Sequence, residues 1–390
     1  MSLRIITNPW MVVSACIFLS LITLSSCTGK VESSADIPTI TLEETDERIP
    51  QQLIDSIFTF DKFVIPQLTE ESTLDVINKV VLANNTIFIL HGKNTITSFD
   101  INGEFIGNYS HIGTGPGEYV SINDFDIKGD TLFILSRDNI YLYSMDDKFI
   151  KKIQLTNAAK GLKVLNSGVA LNNGFGLGSK KTQSSCSYTY ISDRDTLNRI
   201  EFNRQLLGNS FSHNGLCSSF VSNNSNSGVL TYYPYNDTIY NINVSDGEIN
   251  PLIAIKIGER NINKDTPPDE VMAIRSSDAV NVIYAPYNWG KYLMFSYLQG
   301  APKTAIVSTS GEVIMNGTTG VDSNGIPISF IDMQSDISDK QALSLLSPMT
   351  LNAIVSHKEN LSEHPVLQLL AEKVSQESNP ILVFYNVNIQ

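Results

Sequence analysis

The chain is short of basic residues, of cysteine and of long apolar runs, and each shortage removes a class of function. Its 27 lysines and arginines face 40 acids, for a net charge of −13 over 390 residues, and no sustained basic cluster interrupts that balance. Nucleic-acid binding needs a basic stripe to neutralise phosphates, so it is excluded. Charged residues make up only 17% of the chain, and Asn and Ser supply much of the polar surface instead. The five histidines (His91, His111, His213, His357 and His364) are scattered without metal-ligand spacing, so no metal site and no cofactor are expected. Ser308 and Ser310 flank a turn with no histidine nearby, and nothing else in the sequence suggests a Ser-His-Asp arrangement.

The one long apolar run is at the N-terminus. Met11 to Leu24 is broken only by Ser14, Ser20 and Thr23, and polar sequence follows it. That is short for a membrane span and reads as an export signal covering residues 1–26. Leu24-Ser25-Ser26-Cys27 resembles the lipobox of bacterial lipoproteins, which implies lipidation at Cys27 and membrane attachment through that lipid alone. A secreted chain in which Cys27 is incidental is the plainer alternative. Residues 27–45 are polar and acidic and read as a tether, and the expected location is the cell envelope, as an outer-membrane lipoprotein. Removing residues 1–26 takes away Arg4 and no acid, leaving a charge of −14. Two cysteines then remain beyond Cys27. Cys186 and Cys217 are a candidate disulfide, which would close a loop of about 30 residues and contribute roughly 3 kcal/mol.

From about residue 55 short alternating strands are joined by Asn/Asp/Gly turns. "NNTIFIL…NTITSFDINGEFIGNY" and "GDTLFIL…DNIYLYSMDDKFIKKI" are one motif written twice, about 45 residues apart. Weaker copies follow to the C-terminus, the last containing strands at Leu351–Ser356 and Ile381–Tyr385. Four strands per copy predict a six-bladed all-β propeller of four-stranded antiparallel blades over residues 46–390. The strand near Ile381 to Tyr385 is expected to share a blade with N-terminal residues Ile57 to Val64, which would hide the sheet edges. Pro267–Val280 and Leu367–Val374 read as helical insertions.

The lipobox, the turn Gly113-Thr114-Gly115-Pro116-Gly117-Glu118-Tyr119, "YNDTIYNI" (Tyr235–Ile242) and "SNPILVFYNV" (Ser378–Val387) together resemble the six-bladed β-propeller lipoproteins of Bacteroidetes. NHL-type propellers, which often bind proteins or ligands, are more distant relatives of that family. The resemblance implies a lipid-anchored propeller and carries over no catalytic residue.

The glycine turn lies between two β segments and lacks a following helix or a Lys-Ser/Thr pair, so it is not a nucleotide loop. It reads as a blade-to-blade crossover, with Glu118 and Tyr119 as candidate ligand contacts. Asp124 and Asp237 sit near strand starts. Tyr233, Tyr287 and Trp289 lie in Pro-containing aromatic stretches of the kind that stack on sugar rings, although blade packing accounts for such rings equally well. The expected function is a ligand- or protein-binding module with a glycan or another envelope protein as partner. The alternative is a glycan-active hydrolase or lyase on the propeller face, which needs two facing carboxylates.

Overall fold

A computed structural model describes residues 37–92, 94–173, 188–192, 196–197, 228–232, 237–258, 282–299, 301–328, 334–338 and 340–389. Strand β1 (Thr39–Leu42), helix α1 (Gln51–Ile57) and β2 (Phe58–Val64) come first. Blade one is β3 (Ile77–Ala83), β4 (Thr86–His91), β5 (Thr95–Asp100) and β6 (Phe105–Tyr109). Blade two is β7 (Asp124–Lys128), β8 (Thr131–Ser136), β9 (Asn139–Ser144) and β10 (Phe149–Gln154). Blade three is β11 (Gly161–Val164), β12 (Gly168–Asn172), β13 (Tyr188–Ser192) and β14 (Thr196–Leu197). Blade four has β15 (Val229–Tyr232), β16 (Thr238–Ile242) and β17 (Ile249–Ile257), and blade five has β18 (Val282–Trp289), β19 (Tyr292–Gln299), β20 (Ala301–Ser308) and β21 (Val313–Thr318). After β22 (Gln334–Asp336), blade six has β23 (Gln341–Leu346), then α2 (Pro348–Ser356) and α3 (Pro365–Lys373), then β24 (Ile381–Val387). The protein is a six-bladed propeller of mostly four-stranded antiparallel sheets.

Local sequence explains the hairpins. Asn84 and Asn85 take φ of 51° and 58°, the pair of left-handed residues that a two-residue turn matched to strand twist requires. Between such turns, alternating apolar residues stack one blade on the next. Val81, Phe88 and Ile96 of blade one meet Phe125, Ile134 and Tyr141 of blade two. Leu135 and Ile140 of blade two meet Leu162 and Leu171 of blade three.

The N-terminal segment closes the ring from outside. β1 pairs in parallel with β17 and completes blade four, with Ile40 and Leu42 buried. This strand lies within the stretch read as a tether, and its alternating apolar side chains explain why it is built into the core. The chain then crosses blade five, where Asp46 meets Lys303 at 2.8 Å and Arg48 bridges Thr318. It ends as β2, paired antiparallel with β24 of blade six, the ring closure anticipated for Ile57–Val64.

Two features depart from the sequence reading. Leu351–Ser356 is not a strand but part of α2: Ser347 accepts a hydrogen bond from the Thr350 amide and Pro348 starts the first turn, a strong N-terminal helix signal. β22 pairs in parallel with the inner edge of β3, so a strand preceding blade six is bonded across the seam to blade one. Residues 367–373 are helical as expected, in α3. The expected helix at 267–280 lies outside the described residues.

Candidate functional site

Two groups of polar residues were candidates for chemistry: the acids at the inner strands and the glycine crossover. On the inner strands, β3, β7 and β11 lie side by side, and charged side chains tie them together. Lys79 Nζ of β3 lies 2.8 Å from Asp124 Oδ1 of β7 and donates to the Phe125 carbonyl at 2.7 Å. The other Asp124 oxygen accepts from the Leu162 amide of β11 at 2.7 Å, and Oδ1 also accepts from Phe125 N. Two residues further along β7, Asp126 repeats the pattern, taking Lys163 Nζ at 3.0 Å and the Val164 amide at 2.7 Å. Burial dominates and raises the Asp124 pKa, and Lys79 and the two amides offset only part of that rise.

These carboxylates therefore bridge blades one, two and three. A carboxylate whose oxygens are taken up by ammonium and amide donors from neighbouring strands acts as a structural strut. Lys79 and Lys163 were not singled out from the sequence. The available signal was a lysine inside a largely apolar inner strand, "INKVVLA" and "GLKV".

The glycine crossover runs from β6 to β7 and has its own internal logic. Glu118 Oε2 accepts from the Gly115 amide at 2.7 Å, and its carboxylate fills the space where side chains would begin at Gly113 and Gly115. Gly117 has φ +84°, and a Cβ there would come within 2.9 Å of the Phe149 ring. Tyr119 is buried, its hydroxyl accepts from the His111 amide at 3.1 Å, and burial raises its pKa to about 12. The His111 ring stacks on Tyr143 at 4.7 Å and its Nε2 meets Asp147 at 2.7 Å. The Tyr143 hydroxyl donates to the Gly117 carbonyl. The contacts to Tyr143, Asp147 and Phe149 pin the crossover onto blade two.

The terminal motif has the same role at the next seam. Buried Asn379 donates to the carbonyls of Pro66, Gln67 and Ser72 and accepts from the Leu74 amide at 2.8 Å. One side chain thus secures the crossover from blade six to blade one.

The remaining candidates are spread over the ring. Asp237 precedes β16 of blade four, accepting from the Thr238 hydroxyl at 2.9 Å and, through its carbonyl, from the Ile255 amide. Tyr287 and Trp289 end β18 at 1% and 4% exposure, packed with Phe58 against blade six, and neither turns a ring face to solvent. Glu118, Asp124 and Asp237 occupy separate elements, and no hydrogen bond joins any two of them among the described residues. No group of three or more His, Cys, Asp or Glu is placed to hold a metal among the described residues. Tyr233, Cys27, Cys186 and Cys217 lie outside the described residues. No described helix is long and apolar enough to cross a membrane.

The family described as a domain of unknown function, DUF4934, matches residues 36–386. No curated protein matches the chain. Among solved structures, a Bacteroides fragilis protein described as exported superposes at a TM-score of 0.64 with 16% identity, covering 90% of this chain and 99% of its own. A DUF4221 family member from Bacteroides vulgatus superposes at 0.52 with 10% identity, covering 85% and 98% respectively. At these identities the likeness is one of fold.

Proposed function

Because the chain belongs to the DUF4934 family, for which no activity is described, we propose from its own geometry that it is an exported, lipid-anchored propeller that binds a partner in the cell envelope without transforming it. The observation that carries this reading is the use made of the inner acids. Asp124 and Asp126, the buried acids of inner strand β7, are held by lysines and amides of neighbouring blades. General acid–base chemistry needs a carboxyl that exchanges a proton with substrate, and a strut between blades has no such freedom.

Export and anchoring rest on the apolar run before residue 25 and on Leu24-Ser25-Ser26-Cys27. The Bacteroides fragilis structural neighbour described as exported is consistent with that address. Burial of Tyr287 and Trp289 favours another envelope protein over a glycan as partner, since sugar stacking needs an open ring face.

Two measurements test the reading. Metabolic labelling with an alkyne fatty acid should mark the wild-type chain and not Cys27→Ala, which should leave the membrane fraction. Cross-linking in intact cells should recover the same envelope protein from independent preparations, while the purified chain releases no product from envelope glycans. Glycan turnover by the purified chain that is lost in a site variant would sink the non-catalytic reading.

A further inference from the structure

We propose that the outer edge of β10 is a docking edge for an extended acidic segment of a partner protein, which adds to blade two as a further strand. This deepens the binding-module reading and rests on it.

β10 ends its sheet, and no strand pairs with its outer side among the described residues. Its residues from Phe149 to Lys152 are all exposed. Phe149 and Ile150 are 42% and 51% exposed, and Ile112 and Val120 of the adjoining crossover are 45% and 51% exposed. The crossover and the edge are physically joined, because the Phe149 ring lies under Gly117 and meets Tyr143 edge-on at 5.7 Å. Edges are ordinarily blunted by charge, and β10 carries Lys151 and Lys152, but two large apolar side chains also stand exposed on it.

β10 itself carries two lysines and no acid. Lys148, Lys151 and Lys152 fall within five residues of a protein whose net charge is −13. Three acids lie beside them: Asp146 is 3.8 Å from Lys148, Asp147 is held by His111, and Asp138 accepts from Gln154. With Asp146 beside Lys148 and Asp147 beside His111, Lys151 and Lys152 are the cations that β10 offers to an acidic segment. A lipid headgroup would satisfy the lysines but offers no ladder of N–H and C=O groups to an open strand edge, so a peptide fits better.

The register is irregular between Phe149 and Lys151, while Lys151 to Gln154 stay in regular register with Leu142 to Asn139. A partner strand would pair along that regular half and lay apolar side chains on Phe149 and Ile150. Blade four already accepts such a segment. β1 (T-I-T-L) adds to β17 and is followed by Glu43, Glu44, Asp46 and Glu47, with Asp46 bound by Lys303.

The test uses the full chain and two synthetic peptides, one alternating Thr or Val with Glu and its counterpart with Lys for Glu. Hydrogen exchange should slow at least tenfold at the outward amides of β10 with the Glu peptide and not with the Lys peptide. Lys151→Glu combined with Lys152→Glu should weaken binding at least tenfold at an unchanged melting temperature. Absence of protection, or equal protection by both peptides, overturns the proposal. Protection by anionic phosphatidylglycerol vesicles alone assigns the edge to lipid, and protection that rises with protein concentration alone assigns it to a second copy; either overturns it too. If the peptide fails while the cross-linked envelope partner is still recovered, the docking edge falls and the binding-module reading stands.

Discussion

Replacing Asp124 by alanine removes one carboxylate and leaves three problems behind. The Lys79 ammonium, whose side chain is 4% exposed, keeps only the Phe125 carbonyl and the face of the Phe125 ring at 5.5 Å. The Leu162 amide of blade three loses its acceptor, and so does the Phe125 amide. Breaking one partner out of a buried ion pair costs about 3–5 kcal/mol, because the remaining charge stays out of water. A buried amide without an acceptor adds about 1–3 kcal/mol wherever water cannot enter.

The expected loss for Asp124→Ala is therefore at least about 3 kcal/mol, a large part of the roughly 5–15 kcal/mol that holds a domain folded. Adding Lys79→Met removes the stranded charge, so the double variant should be more stable than Asp124→Ala alone. Urea unfolding followed by Trp289 fluorescence measures both, since Trp289 is the one tryptophan after residue 26. A loss under about 1 kcal/mol for Asp124→Ala, or strict additivity in the double variant, would refute the strut assignment and return Asp124 to the list of candidates for chemistry.

Three other perturbations test separate parts of the fold. Gly117→Ala should destabilise by about 1–3 kcal/mol, because φ +84° disfavours any side chain and the Phe149 ring blocks the Cβ; a neutral result by thermal melting would show that the crossover gives way easily. His91 accepts the Asp75 amide at Nδ1 and meets the Thr97 hydroxyl at Nε2, an arrangement for the neutral ring, and burial lowers its pKa despite Asp75 nearby. The folded state thus binds its proton less readily than the unfolded chain, so stability should fall as pH drops below about 6.5 and level off below the folded value; His91→Gln should flatten that part of the profile, and an unchanged slope counts against the assignment. Leu42→Ala, in the strand that completes blade four, should lower stability by about 2–5 kcal/mol and speed proteolysis within residues 37–47, whereas a silent substitution would mean that β1 is dispensable.

Much of this architecture was legible from local pattern. Alternation along Thr131–Ser136, left-handed turn residues such as Asn84 and Asn85, and the repeat of about 45 residues are all properties of neighbouring positions, and they sufficed for strands, hairpins and blade number. The glycine crossover was placed between β6 and β7 for the same reason. Helix α2 was missed because "LNAIVS" reads equally well as a strand, and only Ser347 and Pro348 before it tip the balance.

The sites were another matter. That Lys79 neutralises Asp124 and Lys163 neutralises Asp126 depends on inner strands about 40 residues apart lying side by side, and no local period encodes that pairing. Tyr287 and Trp289 are the same residues whether they stack on a sugar or on Phe58, and only the seating of blade five against β2 and blade six buries them. β1 joins β17 across more than two hundred residues, and β22 joins β3 across a similar distance. The sequence by itself determined the blades, because strand and turn propensities act over a few residues. The tertiary structure decided which acids are struts and which aromatics are core, because those depend on which blades become neighbours when the ring closes.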